Sequence, residues 1–237
     1  MDFCRTIFHV TQQGDSFYKL AQRYQTTVPD IIMRNPGVNP YNLQVGTRLR
    51  ICPGYENGRN HPEEMDLNND MRHAWNDHNF WGNMFIISLF HALDNTDAVQ
   101  MRLGTTPEEI AAVFEQFYSQ PMVNQLRQLL AEHVRLAGEL AEAMKAGNME
   151  RVTQLDNQLN QNADQIARML ANANSRYSYE ELRQMLRTHL KLMKDTMSME
   201  LNGNHEGAIQ SMDENGVHLM ELADILTQGL VDQFYTR

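Results

Sequence analysis

Cysteine is almost missing from this chain, and its two copies, Cys4 and Cys52, both precede residue 54. The remaining three quarters therefore cannot hold a disulfide framework, a thiolate metal site or a cysteine nucleophile. Aromatic residues are few at 8%. Methionine is plentiful at 16 copies, and its flexible apolar volume suits helix packing more than sheet packing. No apolar run approaches the ~20 residues that span a bilayer; the longest, Met84 to Phe90, is short and interrupted by Ser88. No glycine-rich phosphate loop stands between a strand and a helix, and no paired Glu-x-x-His motifs mark a carboxylate-bridged di-metal bundle. Positive charge thins out along the chain. Residues 1–54 hold six Lys/Arg against three Asp/Glu, the rest fourteen against twenty-seven. Such an acidic body argues against nucleic acid or an anionic membrane surface as partner. At 237 residues the chain has room for one or two domains, each with a real core.

The first fifty residues carry the densest local signals. Thr6 to Val10 is β-branched and aromatic, as strands prefer. Gly14 supplies a turn, and Asp15 or Ser16 can cap a helix whose apolar positions Phe17, Leu20, Ala21 and Tyr24 follow helical spacing. Pro29 stands near the start of a second helix, with Ile31 and Ile32 facing inward, and Asn35-Pro36-Gly37 ends it. Gly46 turns the chain into a last strand, Thr47 to Cys52, able to pair antiparallel with the first. The expected unit is β-α-α-β.

This order resembles the LysM module: an aromatic-x-Val strand, here Phe8-His9-Val10; Gly14-Asp15 before a helix; Asn35-Pro36; and a closing Leu49-Arg50-Ile51 strand with Pro53. Ser16-Phe17 replaces the usual Thr-Leu, and Cys52 precedes the terminal proline. The resemblance implies a lectin-like fold that binds N-acetylglucosamine chains of peptidoglycan or a chitin-like glycan. Its groove would lie between Gly14, Asp15, Ser16 and Phe17 on one side and Asn39, Tyr41, Asn42, Leu43 and Gln44 on the other. A plainer reading stands beside it, in which Asp15 and Ser16 only cap a helix and Leu43 only packs. If the outer strands neighbour each other as in that pattern, Cys4 and Cys52 can meet. A bridge closing such a loop would contribute about 3 to 4 kcal/mol and imply an oxidising location. The alternative is two free thiols in a reduced cytoplasm. The start Met1-Asp2-Phe3-Cys4-Arg5 shows no basic-then-apolar export signal, so a cell-envelope or spore-surface location implies mother-cell deposition, another route, or a mature chain without its leader.

Residues 55–65 read as a polar linker between domains at 1–54 and 66–237. Beyond it the chain is helical and repetitive. A 56-residue shift lays Leu126 to Leu170 onto Leu182 to Leu226 without a gap, with twelve identities in 45 positions. His133 falls on His189, Asn162 on His218, and Gly147-Asn148 on Gly203-Asn204, two natural helix breaks. A fainter copy begins at Trp75, with His78 standing 55 residues before His133 and a second helix after Pro107. The expectation is about six helices forming three αα-hairpins, bundled or stacked in a row.

His78, His133 and His189 each sit on the apolar stripe of the first helix of their hairpin, and His218 takes the matching place to Asn162 in a second helix. A buried imidazole without partners costs about 1 to 3 kcal/mol. Two readings follow: a hydrogen-bonded polar layer that fixes hairpin register, or a transition-metal site from His78, His133 and His189 with His218 as candidate fourth ligand. Hairpins in a row would keep their histidines apart, which favours the polar layer. His61, His73, His91 and His205 read as solvated side chains.

The helical part also resembles an uncharacterised family of helical proteins from spore-forming Bacillota, on Trp75-x-x-His78-x-x-Trp81, Asn162-Ala163-Asp164, His189-Leu190 and Gly229-Leu230-Val231-Asp232-Gln233-Phe234. No carboxylate pair stands out as a glycosidase needs, so catalytic residues are none. The chain reads as a non-catalytic bacterial envelope or spore-layer protein, bound to glycan at one end and presenting an acidic helical domain to other layer proteins. A wall-tethered metal-binding domain and a wall-active hydrolase are the alternatives.

Overall fold

The computed structural model describes residues 7–24, 26–39, 43–52 and 62–235. It forms two compact units that divide between Glu63 and Glu64.

In the first unit, strand β1 (Ile7–Val10) is followed by helices α1 (Phe17–Arg23) and α2 (Val28–Arg34) and strand β2 (Arg48–Ile51). The strands pair antiparallel, Ile7 opposite Ile51 and Val10 opposite Arg48. The two-residue side-chain period sends Leu49 and Ile51 inward and Arg48 and Arg50 outward. Phe17, Leu20, Ala21 and Ile31 meet those two strand residues in one core. Both helices start on side-chain caps: Lys19 N–H donates to Ser16 Oγ, and Asp30 N–H donates to Thr27 Oγ1. Buried Asn35 fastens the end of α2 to β2. Its amide donates to Ile31 O (2.7 Å) and Arg50 O (2.8 Å), and its Oδ1 accepts from Arg50 N–H (2.7 Å). Cys52, just after β2, is disulfide-bonded; its expected partner Cys4 lies outside the described residues.

The second unit holds α3 (Pro62–Phe90) from Glu64 onward, α4 (Thr96–Leu103), α5 (Thr106–Ala112), α6 (Gln120–Lys145), α7 (Met149–Ala173), α8 (Tyr179–Leu201) and α9 (His205–Leu230). A π-helical turn, Val231–Tyr235, follows and makes eight helices among the described residues. That exceeds the expected six. The first pair's second arm begins beside Pro107 as expected, at α5, but an extra short helix, α4, fills the stretch before it. Helix α3 also begins earlier than Trp75, at Pro62, inside the stretch expected as linker; its extra turns bury Leu67 and Met71. Two long pairs, α6 with α7 and α8 with α9, turn by the same local device. Gly147 and Gly203 take positive φ (69° and 74°), which side chains resist, and Asn148 and Asn204 then cap the next helix.

The core runs along the facing leucines of α6 to α9, among them Leu140, Leu155, Leu182 and Leu219, all wholly buried. Each contributes about 1.5 to 3 kcal/mol by leaving water. The loop after α7 is pinned to α9, where Tyr177 Oη donates to Leu226 O (2.5 Å) and Asn174 Nδ2 donates to Gly229 O (2.9 Å). Gly229 is required there, because a Cβ would lie 1.9 Å from Tyr177 Cε1.

Candidate functional site

The described members of the expected glycan-binding set lie just before and at the start of α1 and in the stretch between α2 and β2. Asp15 is a fixed point rather than a free carboxylate. It accepts hydrogen bonds from His9 Nε2 (2.8 Å) and Gln12 N–H (2.8 Å), and Arg23 approaches at 3.4 Å. The Gln12 amide first, then His9, hold its carboxyl below the usual range. His9, the buried residue of β1, spends its other nitrogen on Tyr24 Oη at 2.8 Å. Nothing in residue spacing marked this Asp15–His9–Tyr24 chain. Phe17, expected on the groove, has its side chain in the module's core at 3% exposure, so it can offer a ligand only backbone. Ser16 is half-buried and caps α1, while Gly14 is exposed. On the other side Asn39 and Gln44 are exposed, and Leu43 is half-buried against the core. The Gln44 carbonyl is held by Thr11 Oγ1 (2.6 Å), which also accepts from Thr47 N–H (2.9 Å). Tyr41 and Asn42 lie outside the described residues. Polar contacts thus brace the described parts of both loops.

Residues 9–51 match the LysM domain family. No curated protein and no solved structure matches the chain. The LysM domain supports binding to peptidoglycan or a chitin-like glycan, and it suggests an extracellular or wall-associated protein. Among the described residues no helix is long and apolar enough to cross a membrane.

The LysM match leaves the helical unit to be read from its own geometry, and there three histidines converge. His78 on α3, His133 on α6 and His189 on α8 are all buried, and one ring nitrogen from each lies within 4.8 Å of the others. Ring centroids stand 5.9 Å (His78–His133), 5.6 Å (His78–His189) and 5.6 Å (His133–His189) apart. The expectation that hairpins would hold these side chains apart is corrected: α3, α6 and α8 face a common interior point. His218 does not join them. It is half-buried on α9, and its Nε2 donates to Met185 O at 2.8 Å.

The hydrogen bonds fix the state of each ring. Thr106 Oγ1 donates to Leu103 O, so it must accept from His78 Nδ1 (3.2 Å). Asn162 Nδ2 donates to Leu129 O, which leaves its Oδ1 to accept from His133 Nδ1 (3.2 Å). Asn215 Nδ2 donates to Asn79 Oδ1, and its Oδ1 accepts from His189 Nδ1 (2.9 Å). Every Nδ1 therefore carries the proton and every Nε2 the lone pair. His189 Nε2 is buried with no hydrogen-bond partner among the described residues. Burial first, and the neighbouring imidazoles after it, push His78 well below its ordinary value and His133 down to about 3. Burial brings His189 to about 4. All three are neutral at pH 7, as ligands must be.

A cavity of about 40 Å³ opens beside the three rings, lined also by Asn79, Gly82, Asn83, Phe85 and Met193. Thr106 and Asn215 had escaped sequence reading; Asn215 lies on the inner stripe of α9, one turn before His218, and that polar break was the available signal. A second group, His91, Glu200 and His205, shares one carboxylate oxygen at 3.0 and 2.8 Å, so His91 and His205 are carboxylate-bound rather than merely solvated.

Proposed function

We propose that the protein is a non-catalytic envelope or spore-layer protein that grips N-acetylglucosamine-containing glycan, peptidoglycan above all, through its LysM module. The observation that carries this is the match of residues 9–51 together with their β-α-α-β layout and braced loops. Gly14, Ser16, Asn39, Leu43 and Gln44 supply the ligand edge, joined by Tyr41 and Asn42. Asp15 and Phe17 shape it from below. The acidic helical unit then serves as the displayed part, for contact with other layer proteins. In support, several of its surface carboxylates pair with arginines along the helices: Asp164 on Arg187 (2.8 and 2.7 Å), Asp224 on Arg72 (2.6 and 2.5 Å), and Glu132 with Glu139 on Arg135. That distribution suits a stiff, solvated face better than a pair of catalytic acids.

The hairpin-repeat reading gains support from one geometric coincidence. Under the 56-residue shift Leu129 and Asn162 become Met185 and His218, and both pairs make the same side-chain-to-carbonyl bond. The convergence of three histidines favours a second reading of the helical unit, a metal-binding domain tethered to the wall.

Co-sedimentation with purified peptidoglycan tests the anchor. The full chain should pellet, soluble N-acetylglucosamine oligomers should release it, and a chain lacking residues 1–63 should stay in the supernatant. Equal pelleting of the truncated chain would sink the assignment.

A further inference from the structure

The three-histidine centre carries an inference that stands apart from glycan binding. We propose that His78, His133 and His189 bind one divalent transition-metal ion of the zinc class through their Nε2 atoms, with a fourth position open to the adjoining cavity.

The ring triangle has the size such a centre needs. With a metal–nitrogen distance of about 2.1 Å, the metal sits about 3.2 Å from each ring centroid, so tetrahedral to trigonal angles put the centroids about 5.2 to 5.5 Å apart. The observed 5.6, 5.6 and 5.9 Å are nearly equilateral and ask for an inward shift of only a few tenths of an ångström. Each imidazole also has the outer support that metal-bound histidines use: its Nδ1–H is given to Thr106, Asn162 or Asn215, which fixes the tautomer and aims Nε2. A polar layer meant only to set register would pair both nitrogens of each ring. Here His189 Nε2 is buried with no hydrogen-bond partner among the described residues, a desolvated lone pair that a bound cation satisfies.

Ligand chemistry narrows the ion. Three neutral imidazoles suit zinc, cobalt, nickel or copper, and they exclude magnesium and calcium, which want oxygen. No carboxylate belongs to the cluster, so a dication would carry its full charge into an apolar interior. Hydroxide or another small anion in the fourth position offsets that charge. The cavity beside the rings is where such a ligand fits, with Asn79 and Asn83 among its lining residues. This makes the centre open rather than purely structural.

The test uses the full chain, stripped with chelator and then given zinc or cobalt. One ion per chain should be retained on elemental analysis, the melting temperature should rise, and the cobalt form should show the intense visible bands of a four-coordinate site. Azide should change that spectrum through the open position. Each of His78→Gln, His133→Gln and His189→Gln should weaken binding about 100-fold or more, and Asn215→Leu about tenfold by releasing Nδ1 of His189. The double variant His91→Ala/His205→Ala, which removes the other histidine pair, should leave stoichiometry unchanged. In case single variants unfold, side-chain nitrogen NMR on the wild-type chain gives a separate readout: three Nδ1–H tautomers without metal, whose Nε2 signals move on addition of zinc. A folded wild-type protein with no retained ion and unmoved Nε2 signals would overturn the site. A cobalt spectrum blind to azide would overturn its open position.

Discussion

The two units treat a buried imidazole in opposite ways. In the LysM module His9 has both nitrogens occupied, one by Tyr24 Oη and the other by Asp15, and the ring is a brace within a hydrogen-bonded chain. In the helical unit three converging rings give their Nδ1–H to Thr106, Asn162 and Asn215, and among the described residues no hydrogen bond reaches their Nε2 atoms. Neutral imidazoles cannot donate to one another once every proton sits on Nδ1. A buried histidine with two partners is part of the scaffold, whereas a cluster with its lone pairs turned inward is incomplete. The contrast separates structural from ligand-ready histidines without any knowledge of what the protein does.

Acid should break the contrast most strongly. For His133 and His189 the folded values, about 3 and about 4, lie below the ordinary 6.5. The unfolded chain then binds more protons than the native one below pH 6.5, so stability falls as pH is lowered through that value and keeps falling towards the folded values. Between pH 6.5 and 4.5 these two rings together cost the metal-free helical unit about 5 kcal/mol, and His78 acts in the same direction. Asp15 behaves differently. Its folded value is lowered, so its contribution is present above the ordinary carboxylate range and is lost only as pH falls through the lowered value. Both tryptophans, Trp75 and Trp81, lie in the helical unit. Thermal melts followed by tryptophan fluorescence in chelator should therefore drop steeply between pH 6.5 and 4.5. A flat melting temperature over that range would remove the inward-facing lone pairs from the account.

How much of this was legible beforehand follows from how local each cause is. The LysM strand-helix-helix-strand order could be read because Gly14, Ser16, Asn35-Pro36 and Gly46 act within a few residues of themselves. The helix breaks at Gly147-Asn148 and Gly203-Asn204 were legible for the same reason. The apolar stripes also placed His78, His133 and His189 on buried faces. What spacing could not give was the meeting of three side chains from helices more than fifty residues apart, because that depends on how α3, α6 and α8 pack. Phe17 was misjudged on similar grounds. Its helical register fitted either a groove or a core, and only the strands opposite decided for the core. The helix after Pro107 was legible, whereas α4, eight residues with no side-chain cap bond at its start, was not.

A medium-sized effect compares the buried asparagines that close a loop in each unit. Asn35→Ala removes three bonds to the backbone and should destabilise the LysM module by about 3 kcal/mol, read by loss of amide-exchange protection in β1 and β2. Asn174→Ala removes two, the donation to Gly229 O and the acceptance from Arg176 N–H, and should cost the helical unit about 2 kcal/mol in a fluorescence-detected melt. Each substitution should leave the other unit's transition in place. Joint loss from either one would mean that the two units do not unfold separately.

The smallest expected effect is the most discriminating for the hairpins. His218 and Asn162 occupy matching places, and each donates to a carbonyl of the preceding helix at 2.8 and 2.9 Å. Asn162 also accepts from the central histidine of its hairpin, whereas in the last hairpin Asn215 does that instead. His218→Asn therefore keeps the one bond the position makes and should shift the melting free energy by less than about 1 kcal/mol. Asn162→His keeps a donor for Leu129 O and a lone pair for His133 Nδ1, but the two nitrogens of an imidazole point further apart than the nitrogen and oxygen of an amide, so at this buried position both partners can be met only by displacing them. The first swap should leave metal uptake and stability nearly untouched, and the second should weaken both. If the two swaps behaved alike, the division of labour between Asn215 and His218 would carry no meaning and the matching bonds would be coincidence.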